Sequence, residues 1–142
     1  MNAMTSVNQE LPNNIEAEQQ VLGALLNDNS LAYKITGKLK AEQFYDPVHQ
    51  RIFANLIGRI NADKLASMVT LKEDMASDEG LAQLGGVGYL AKLAGHATAS
   101  FAIADYAQSV AEMKRRRELL EICDGGRARI NADESASVSV AD

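Results

Sequence analysis

The feature that most constrains the fold is a run of apolar residues at helical spacing after the dipeptide Asp46-Pro47. Asp46 can cap a helix with its short carboxylate, and Pro47 suits the first helical position, where its missing N–H is not needed. The apolar residues that follow recur every three or four positions, as on one face of a helix: Ile52, Phe53, Leu56, Ile57 and Ile60. The stretch therefore predicts a helix that begins at residue 47 and buries one face.

Similar start signals mark other helices along the chain. Asn13 or Asn14 is expected to cap a first helix, and a short second helix is expected to start near Ser30. The spacing Thr70-x-x-Glu73 predicts a further capped start, with the threonine as the cap. Ala and Leu supply much of the 46% apolar content, which favours helices over strands. No stretch alternates apolar and polar residues as a strand does, so we predict an all-α fold with about five short helices.

From about Ser100 the helical pattern continues for some thirty residues, but its apolar stripe thins halfway. Apolar residues are dense as far as Val110 and sparse after Met113, and Gly125-Gly126 interrupts the pattern. A helix whose apolar stripe is dense only in its first half needs a partner for its second half. The predicted divisions are a flexible leader at 1–12, a globular helical domain at 13–98, a long protruding helix at 99–131, and at 132–142 a tail or the start of a second hairpin helix.

A glycine-rich stretch raises the possibility of a nucleotide site. Residues 86–91, GVGYLA, fit the G-x-G-x-x-A loop of dinucleotide-binding proteins, and Asp105 follows at about the spacing of a ribose-binding acid. Such a loop must leave a strand and open a helix, whereas the preceding residues are acidic and alanine-rich, with no β-branched run. We interpret the glycines as a turn between helices. Since Gly-Lys-Ser/Thr is also absent from the sequence, we predict that this chain is not an enzyme and binds no cofactor.

The chain offers few candidates for metal or nucleophile chemistry. His49 and His96 are its only histidines, and the only acid at helical spacing from His49 is Asp46, which is expected to serve as a cap. We interpret His49 as a surface or half-buried side chain and predict no metal ligands and no catalytic residues. The lone Cys123 cannot form a disulfide within the chain. It is interpreted as a small buried apolar group, with a reactive thiol as the alternative.

The basic run KRRR at residues 114–117 is the candidate for contact with nucleic acid. Four successive helical residues point around most of the circumference, so they form no flat basic face, and the net charge of −5 argues against a general nucleic-acid binder. We interpret the run as a solvated or partner-facing helix, with direct phosphate contact as the alternative. The first residues lack the basic start and apolar core of a signal peptide, and no apolar run reaches membrane-spanning length, so a cytoplasmic location is predicted.

Four stretches together resemble one family. PNNIEAEQQVLGALL at 12–26 resembles the opening helix of the N-terminal domain of bacterial replicative DNA helicases of the DnaB type. The other three stretches agree with that family in order and spacing: FYDPVHQRIF at 44–53, LGGVGYLAKLA at 84–94 and YAQSVAEMKRRRELL at 106–120. Together they cover most of the chain.

The resemblance implies a function. Domains of this kind form a collar on a hexameric ring around single-stranded DNA, and they receive primase and, in some systems, a helicase loader. The chain is therefore expected to be a non-catalytic scaffold and docking domain, whose parent protein is an ATP-dependent helicase, and it is expected to touch DNA only through the assembled ring. In the family a second helix follows the long one to form a hairpin. Because this chain could only begin that second helix, we expect it to be a monomer or weak dimer by itself.

One set of residues is predicted to contact partners, and another set is predicted to form the core. We expect partner contacts on the second half of the long helix, where apolar anchors are mixed with arginine: Met113, Arg116, Arg117, Leu120 and Ile122. We expect the following residues in the core: Leu22, Phe53, Ile57, Leu90 and Tyr106. Three alternatives to the scaffold function stay open: a free-standing adaptor that binds a host helicase, a helicase-interaction domain of the primase type, and a nucleic-acid-binding domain.

Overall fold

A computed structural model describes the backbone of residues 10–97 and 100–141 and the side chains of 10–97 and 101–133. Within these residues the chain is helical and contains no strand, which confirms the all-α prediction. Most of the predicted leader, residues 1–9, lies outside the described part. The α-helices are α1 Ile15–Asn27, α2 Pro47–Asn61, α3 Met68–Asp74, α4 Glu79–Leu84, α5 Val87–His96 and α6 Ile103–Ala141. Short 3₁₀ helices occupy Asn29–Lys34, Ala41–Gln43 and Ser100–Ala102.

The helix starts follow the side chains that can cap them. Asn14 caps α1 by accepting a hydrogen bond from the backbone N–H of Ala17 at 3.0 Å. Asp46 caps α2 in the same way, with Pro47 in the first turn as predicted. The predicted start at Thr70 is wrong, because α3 begins one turn earlier, after Ser67. Ser67 and Thr70 each accept a hydrogen bond from the other's backbone N–H, so this pair satisfies two donors where Thr70 alone would satisfy one.

Helix α1 lies at the centre of the globular part, packed against α2, α5 and α6. Of the residues expected in the core, Leu22, Phe53 and Leu90 are buried, whereas Ile57 and Tyr106 are half-buried and pack against the core from its edge. Gly23 lets α1 approach α5 closely, because a Cβ at this position would overlap the backbone carbonyl of Leu93. The core is thus built around one central helix.

The glycine stretch is a turn between α4 and α5. Gly85 has φ +121° and Gly86 has φ +61°, conformations that glycine adopts without steric cost. The element before the turn is the helix α4, which ends at Leu84, and not the strand that a dinucleotide loop requires. The interpretation of this stretch as a turn between helices is confirmed.

The long helix is longer than the sequence pattern indicates. Helix α6 continues through Gly125 and Gly126 as far as Ala141, where the pattern predicted an end near residue 131. A glycine in a helix costs only about 1 kcal/mol relative to alanine, so two of them need not break a helix. No helix in the described part of the chain is long and apolar enough to cross a membrane.

Candidate functional site

A buried chain of hydrogen bonds joins three helices. Glu18 of α1 and His49 of α2 are almost completely buried. The Glu18 Oε1 lies 2.8 Å from the His49 Nδ1, and the His49 Nε2 lies 2.6 Å from the hydroxyl oxygen of Tyr89 on α5. Because an ionised carboxylate can only accept, the Nδ1–H of His49 donates to Glu18. Burial raises the pKa of the Tyr89 phenol, so the phenol keeps its proton.

The carboxylate of Glu18 also holds the start of α2. It accepts hydrogen bonds from the backbone N–H of Tyr45 at 2.6 Å and of Asp46 at 3.4 Å. A buried carboxylate is expensive unless several donors surround it. Here a side-chain donor from α2 and two backbone donors before α2 supply that environment, so Glu18 fixes where α2 begins relative to α1.

Arg117 of α6 joins the same region from the other side. Its guanidinium donates to the carbonyl oxygen of Pro12 at 2.7 Å and to that of Gln43 at 2.9 Å. The guanidinium carbon also lies 5.2 Å from the centre of the Tyr45 ring, within the range of a cation–π contact. We call Glu18, Tyr45, His49, Tyr89 and Arg117 the motif junction, because all four stretches that carry the family resemblance contribute to it.

The motif junction is suited to positioning helices and not to catalysis. Both ring nitrogens of His49 are occupied by groups of its own chain, and the ring has no exposed surface. A general base must reach a proton on its substrate, and this imidazole cannot. In the described residues no group of histidine, cysteine and acidic side chains is placed to hold a metal ion.

The interpretation of His49 as a surface or half-buried residue is wrong. Its partner Glu18 lies 31 residues away in the sequence, so helical spacing around His49 could not reveal the pair. A signal was present on α1, where Glu18 lies on the same helical stripe as the buried residues Val21, Leu22 and Leu25. A charged residue on an apolar stripe indicates a buried partner elsewhere in the chain.

The residues expected to contact a partner fall into two groups. Met113 is half-buried, Arg116 pairs with Glu112 at 3.2 Å, and Leu120 and Ile122 are 42% and 68% exposed. Arg117 differs from these four because it is only 8% exposed and binds its own chain in the motif junction. We therefore no longer expect Arg117 to contact a partner, whereas partner contact through the other four residues stays a prediction.

Beyond Arg117, α6 projects from the globular part. We call residues 118–133 the projecting segment, because nearly every described side chain in it is exposed. It carries four large apolar residues, each at least 42% exposed: Leu119, Leu120, Ile122 and Ile130. Cys123 is also exposed, so the expectation that it is buried is wrong. At about 100° per residue, Leu119, Cys123 and Ile130 lie within about 40° of one another on one face of the helix.

The fold and these features define a class of protein. The fold is similar to that of a crystal structure of the N-terminal domain of DnaB helicase from Mycobacterium tuberculosis. The TM-score is 0.73 at 28% sequence identity, with 79% of this chain and 81% of that chain covered. More particularly, the chain belongs to the family of DnaB-like helicase N-terminal domains, whose family model matches residues 10–112. The predicted resemblance is confirmed.

Curated relatives agree with this assignment. A replicative DNA helicase DnaB from Rickettsia prowazekii is 31% identical over 136 residues, which is 96% of this chain and 27% of that protein. The DnaB of Treponema pallidum is 35% identical over 127 residues, covering 86% of this chain and 29% of that protein. The chain therefore spans under a third of these relatives. A structure of a DnaB-like replicative helicase, described with its interactions with primase, matches with a TM-score of 0.67 at 26% identity, covering 87% of this chain and 30% of that one.

Proposed function

We propose that this chain is a non-catalytic scaffold and docking domain of a hexameric replicative DNA helicase. In this function it mediates subunit assembly and binds primase or a helicase loader during DNA replication, while a motor domain of the parent protein hydrolyses ATP. The observation that supports assembly most directly is the projecting segment, whose large apolar side chains are exposed on a helix that begins in the core.

These exposed side chains favour association energetically. Burying a leucine or isoleucine fully contributes about 1.5–3 kcal/mol. Leu120 and Ile122 still expose 42% and 68% of their surface, so covering each contributes on the order of 1 kcal/mol. Several such residues on one helix promote contact with another surface, and Arg116 adds a charged group that is common in interfaces.

Docking of a second protein is supported by the relatives. One structural neighbour is described with its interactions with primase. The globular part of this chain supplies a rigid surface for such a partner, because the motif junction links α1, α2, α5 and α6. A rigid surface loses little conformational entropy when a partner binds.

Self-association is tested by light scattering. We expect this chain alone to be a monomer or weak dimer, because a stable interface buries more than about 1,000 Å² and one projecting helix supplies little of that. Met113→Glu and Leu120→Glu are expected to weaken any dimer. Val69→Glu is the matched control, since Val69 is 66% exposed and belongs to α3, not to the projecting segment. A hexamer of the unmodified chain, or a dimer that survives both substitutions, would contradict the proposed interface.

Three further measurements separate this function from its alternatives. Antibodies against residues 13–98 should detect a native protein much larger than the 15.3 kDa of this chain, whereas a free-standing adaptor would migrate near that mass. Purified chain should show no ATP turnover above a buffer blank. Salt-sensitive DNA binding by the isolated chain would favour the nucleic-acid alternative instead.

A further inference from the structure

An open groove lies between the second half of α2 and the segment 36–41. We call this feature the α2 groove. Its cavity has a volume of about 380 Å³, within the range of about 300–1,000 Å³ that is common for binding pockets. Its lining includes the apolar residues Leu39, Phe53 and Ile57 and contains no acid. The volume and the apolar lining are those of a binding site.

The wall of the α2 groove that α2 supplies is made partly of small residues. Ala54 and Gly58 lie one helical turn apart on α2, both are exposed, and both line the groove. A Cβ added at Gly58 would meet no atom within 4 Å, so the packing of this chain does not require the glycine, which destabilises a helix interior. Small residues let the axes of two packed helices approach to about 8 Å. This wall therefore suits a second helix as the occupant.

The charge beside the α2 groove is positive. Residues 34–40 contain Lys34, Lys38 and Lys40 and no acid, although the whole chain has a net charge of −5. Lys40 is the only charged residue in the groove lining. Lys38 and Lys40 are exposed, and neither takes part in an ion pair among the described residues. An occupant with acidic side chains would complement this charge.

The acids nearest to the α2 groove are already paired. A second cleft adjoins the groove at Ala54, which lines both, and it contains Asp74 and Asp78. Asp74 forms an ion pair with Arg59, and Asp78 forms one with Arg51. These two carboxylates are therefore neutralised within the chain, and the unpaired lysines decide the local charge.

We propose that the α2 groove binds an amphipathic helix of another protein, in which a stripe of large apolar side chains is flanked by acids. This inference rests on the docking part of the function proposed above, and it adds a surface and a partner chemistry. Apolar side chains at the spacing i, i+3, i+4 and i+7 enter the groove, and the acids beside them face Lys38 and Lys40. The lengths agree, because α2 extends about 12 Å from Phe53 to Asn61, as do about eight residues of a helix.

A nucleic acid fits the α2 groove less well than an apolar helix does. Binding to a phosphate backbone uses several basic side chains in succession, whereas the groove lining contains one lysine. Stacking of a base needs an exposed aromatic face, and Phe53 is only 3% exposed. Leu39 and Phe53 offer no hydrogen-bonding side chain to a base edge. The floor therefore favours aliphatic side chains.

Fluorescence anisotropy tests the proposal with a defined probe. The probe is a fluorescein-labelled synthetic peptide of about 14 residues, with leucines at i, i+3, i+4 and i+7 and glutamates beside them. One control peptide has lysine in place of every glutamate, and another has the same composition in scrambled order. We expect the glutamate peptide to bind this chain at least about tenfold more tightly than either control. Equal affinities of the three peptides would overturn the proposal.

Filling the groove tests where the peptide binds. Gly58→Leu should weaken binding of the glutamate peptide at least about tenfold, without lowering the melting temperature, because the new side chain has open space. Gly88→Leu is the matched control, since Gly88 is an exposed glycine of α5 that also has open space and does not line the groove. A peptide that binds Gly58→Leu as tightly as it binds Gly88→Leu does not occupy the groove.

Reversing charge tests the expected partner chemistry. Lys38→Glu with Lys40→Glu should weaken binding of the glutamate peptide about two- to tenfold and strengthen binding of the lysine peptide. Lys72→Glu with Lys92→Glu is the control, because it changes the net charge equally at exposed positions outside the groove lining. The same effect from both double substitutions would show that the overall charge matters and the lysines beside the groove do not.

The docking site and the scaffold function can fail separately. If Leu120→Glu abolishes self-association but the glutamate peptide ignores Gly58→Leu, the scaffold function stands and groove docking is wrong. Groove docking is also wrong if Gly58→Leu abolishes self-association, because a second copy then occupies the groove. It is wrong as well if labelled oligothymidylate, and not the peptide, loses affinity on reversal of the two lysines. If the peptide binds as expected but Leu120→Glu leaves self-association unchanged, groove docking stands and the assembly surface must be revised.

Discussion

Substituting alanine for glycine at two helical positions should change stability in opposite directions. Gly23 lies in α1 and Gly58 in α2, and both are inside a helix. At Gly23 an added Cβ would overlap the backbone carbonyl of Leu93 and lie 3.1 Å from the Ala97 Cβ. At Gly58 it would meet nothing within 4 Å. The chemical change is the same at both positions, so any difference reports on packing.

The magnitudes follow from two opposing effects. Alanine improves helix propensity by about 1 kcal/mol at either position. At Gly23 this gain is outweighed, because the obstacle is backbone that cannot rotate away, and forcing α1 and α5 apart disturbs the centre of the core. Overpacking of a core costs typically about 1–3 kcal/mol and occasionally more. We expect Gly23→Ala to lower the free energy of unfolding by about 1–3 kcal/mol, and Gly58→Ala to raise it by about 0.5–1 kcal/mol.

Urea denaturation followed by the far-ultraviolet circular dichroism of the helices measures both variants. The change should appear in the midpoint with little change in the m-value, since neither substitution alters the surface exposed on unfolding. Gly23→Ser should resemble Gly23→Ala, because the steric conflict begins at the Cβ. A Gly23→Ala variant as stable as the unmodified chain would show that α1 and α5 are not packed as closely as described.

Three other substitutions probe the polar contacts. Tyr89→Phe removes the hydroxyl that bonds His49 and should lower the free energy of unfolding by about 1–2 kcal/mol, as measured by thermal denaturation. Arg117→Met keeps the aliphatic stem but leaves two carbonyls without their donor, so it should speed hydrogen exchange at the start of the projecting segment. Hydrogen bonding from Arg51, and then from the backbone N–H of Leu81, lowers the pKa of Asp78 to about 2. Because the pKa of Asp78 is depressed in the folded protein, its stabilising effect is present above about pH 4 and lost as the pH falls towards 2. Since Arg51 is half-exposed, this effect amounts to about 1 kcal/mol. The free energy of unfolding of Asp78→Asn, measured against pH, should therefore lack this part of the decrease in acid.

The sequence predicts the local features of this fold well, because capping is decided by neighbouring residues. Asp46 and Asn14 act as caps since each reaches a backbone N–H two or three residues away. The choice of cap is ambiguous where two hydroxyl residues lie three positions apart in the sequence, as Ser67 and Thr70 do. At this place the predicted start of α3 lies one turn too late.

The motif junction could not be predicted from spacing, because its parts come from distant points of the chain. Glu18 and Tyr89 meet His49 across 31 and 40 residues, and Arg117 reaches Pro12 across 105. The four stretches that carry the family resemblance do contain these residues, but the resemblance does not indicate that their polar side chains meet. The exposure of Cys123 was missed for a similar reason, since it depends on where α6 leaves the globular part and not on the residues around it.

The two hydrogen bonds of Arg117 have a geometric consequence for the far end of α6. The 24 residues that follow Arg117, up to Ala141, form a rod of about 36 Å, and Arg117 holds its base against Pro12 and Gln43. A tilt of about 5° at this base displaces the tip by about 3 Å over that length, enough to separate a contacting side chain from its partner. The accuracy with which neighbouring copies can meet along the rod is therefore limited by how firmly a single guanidinium is held inside the domain.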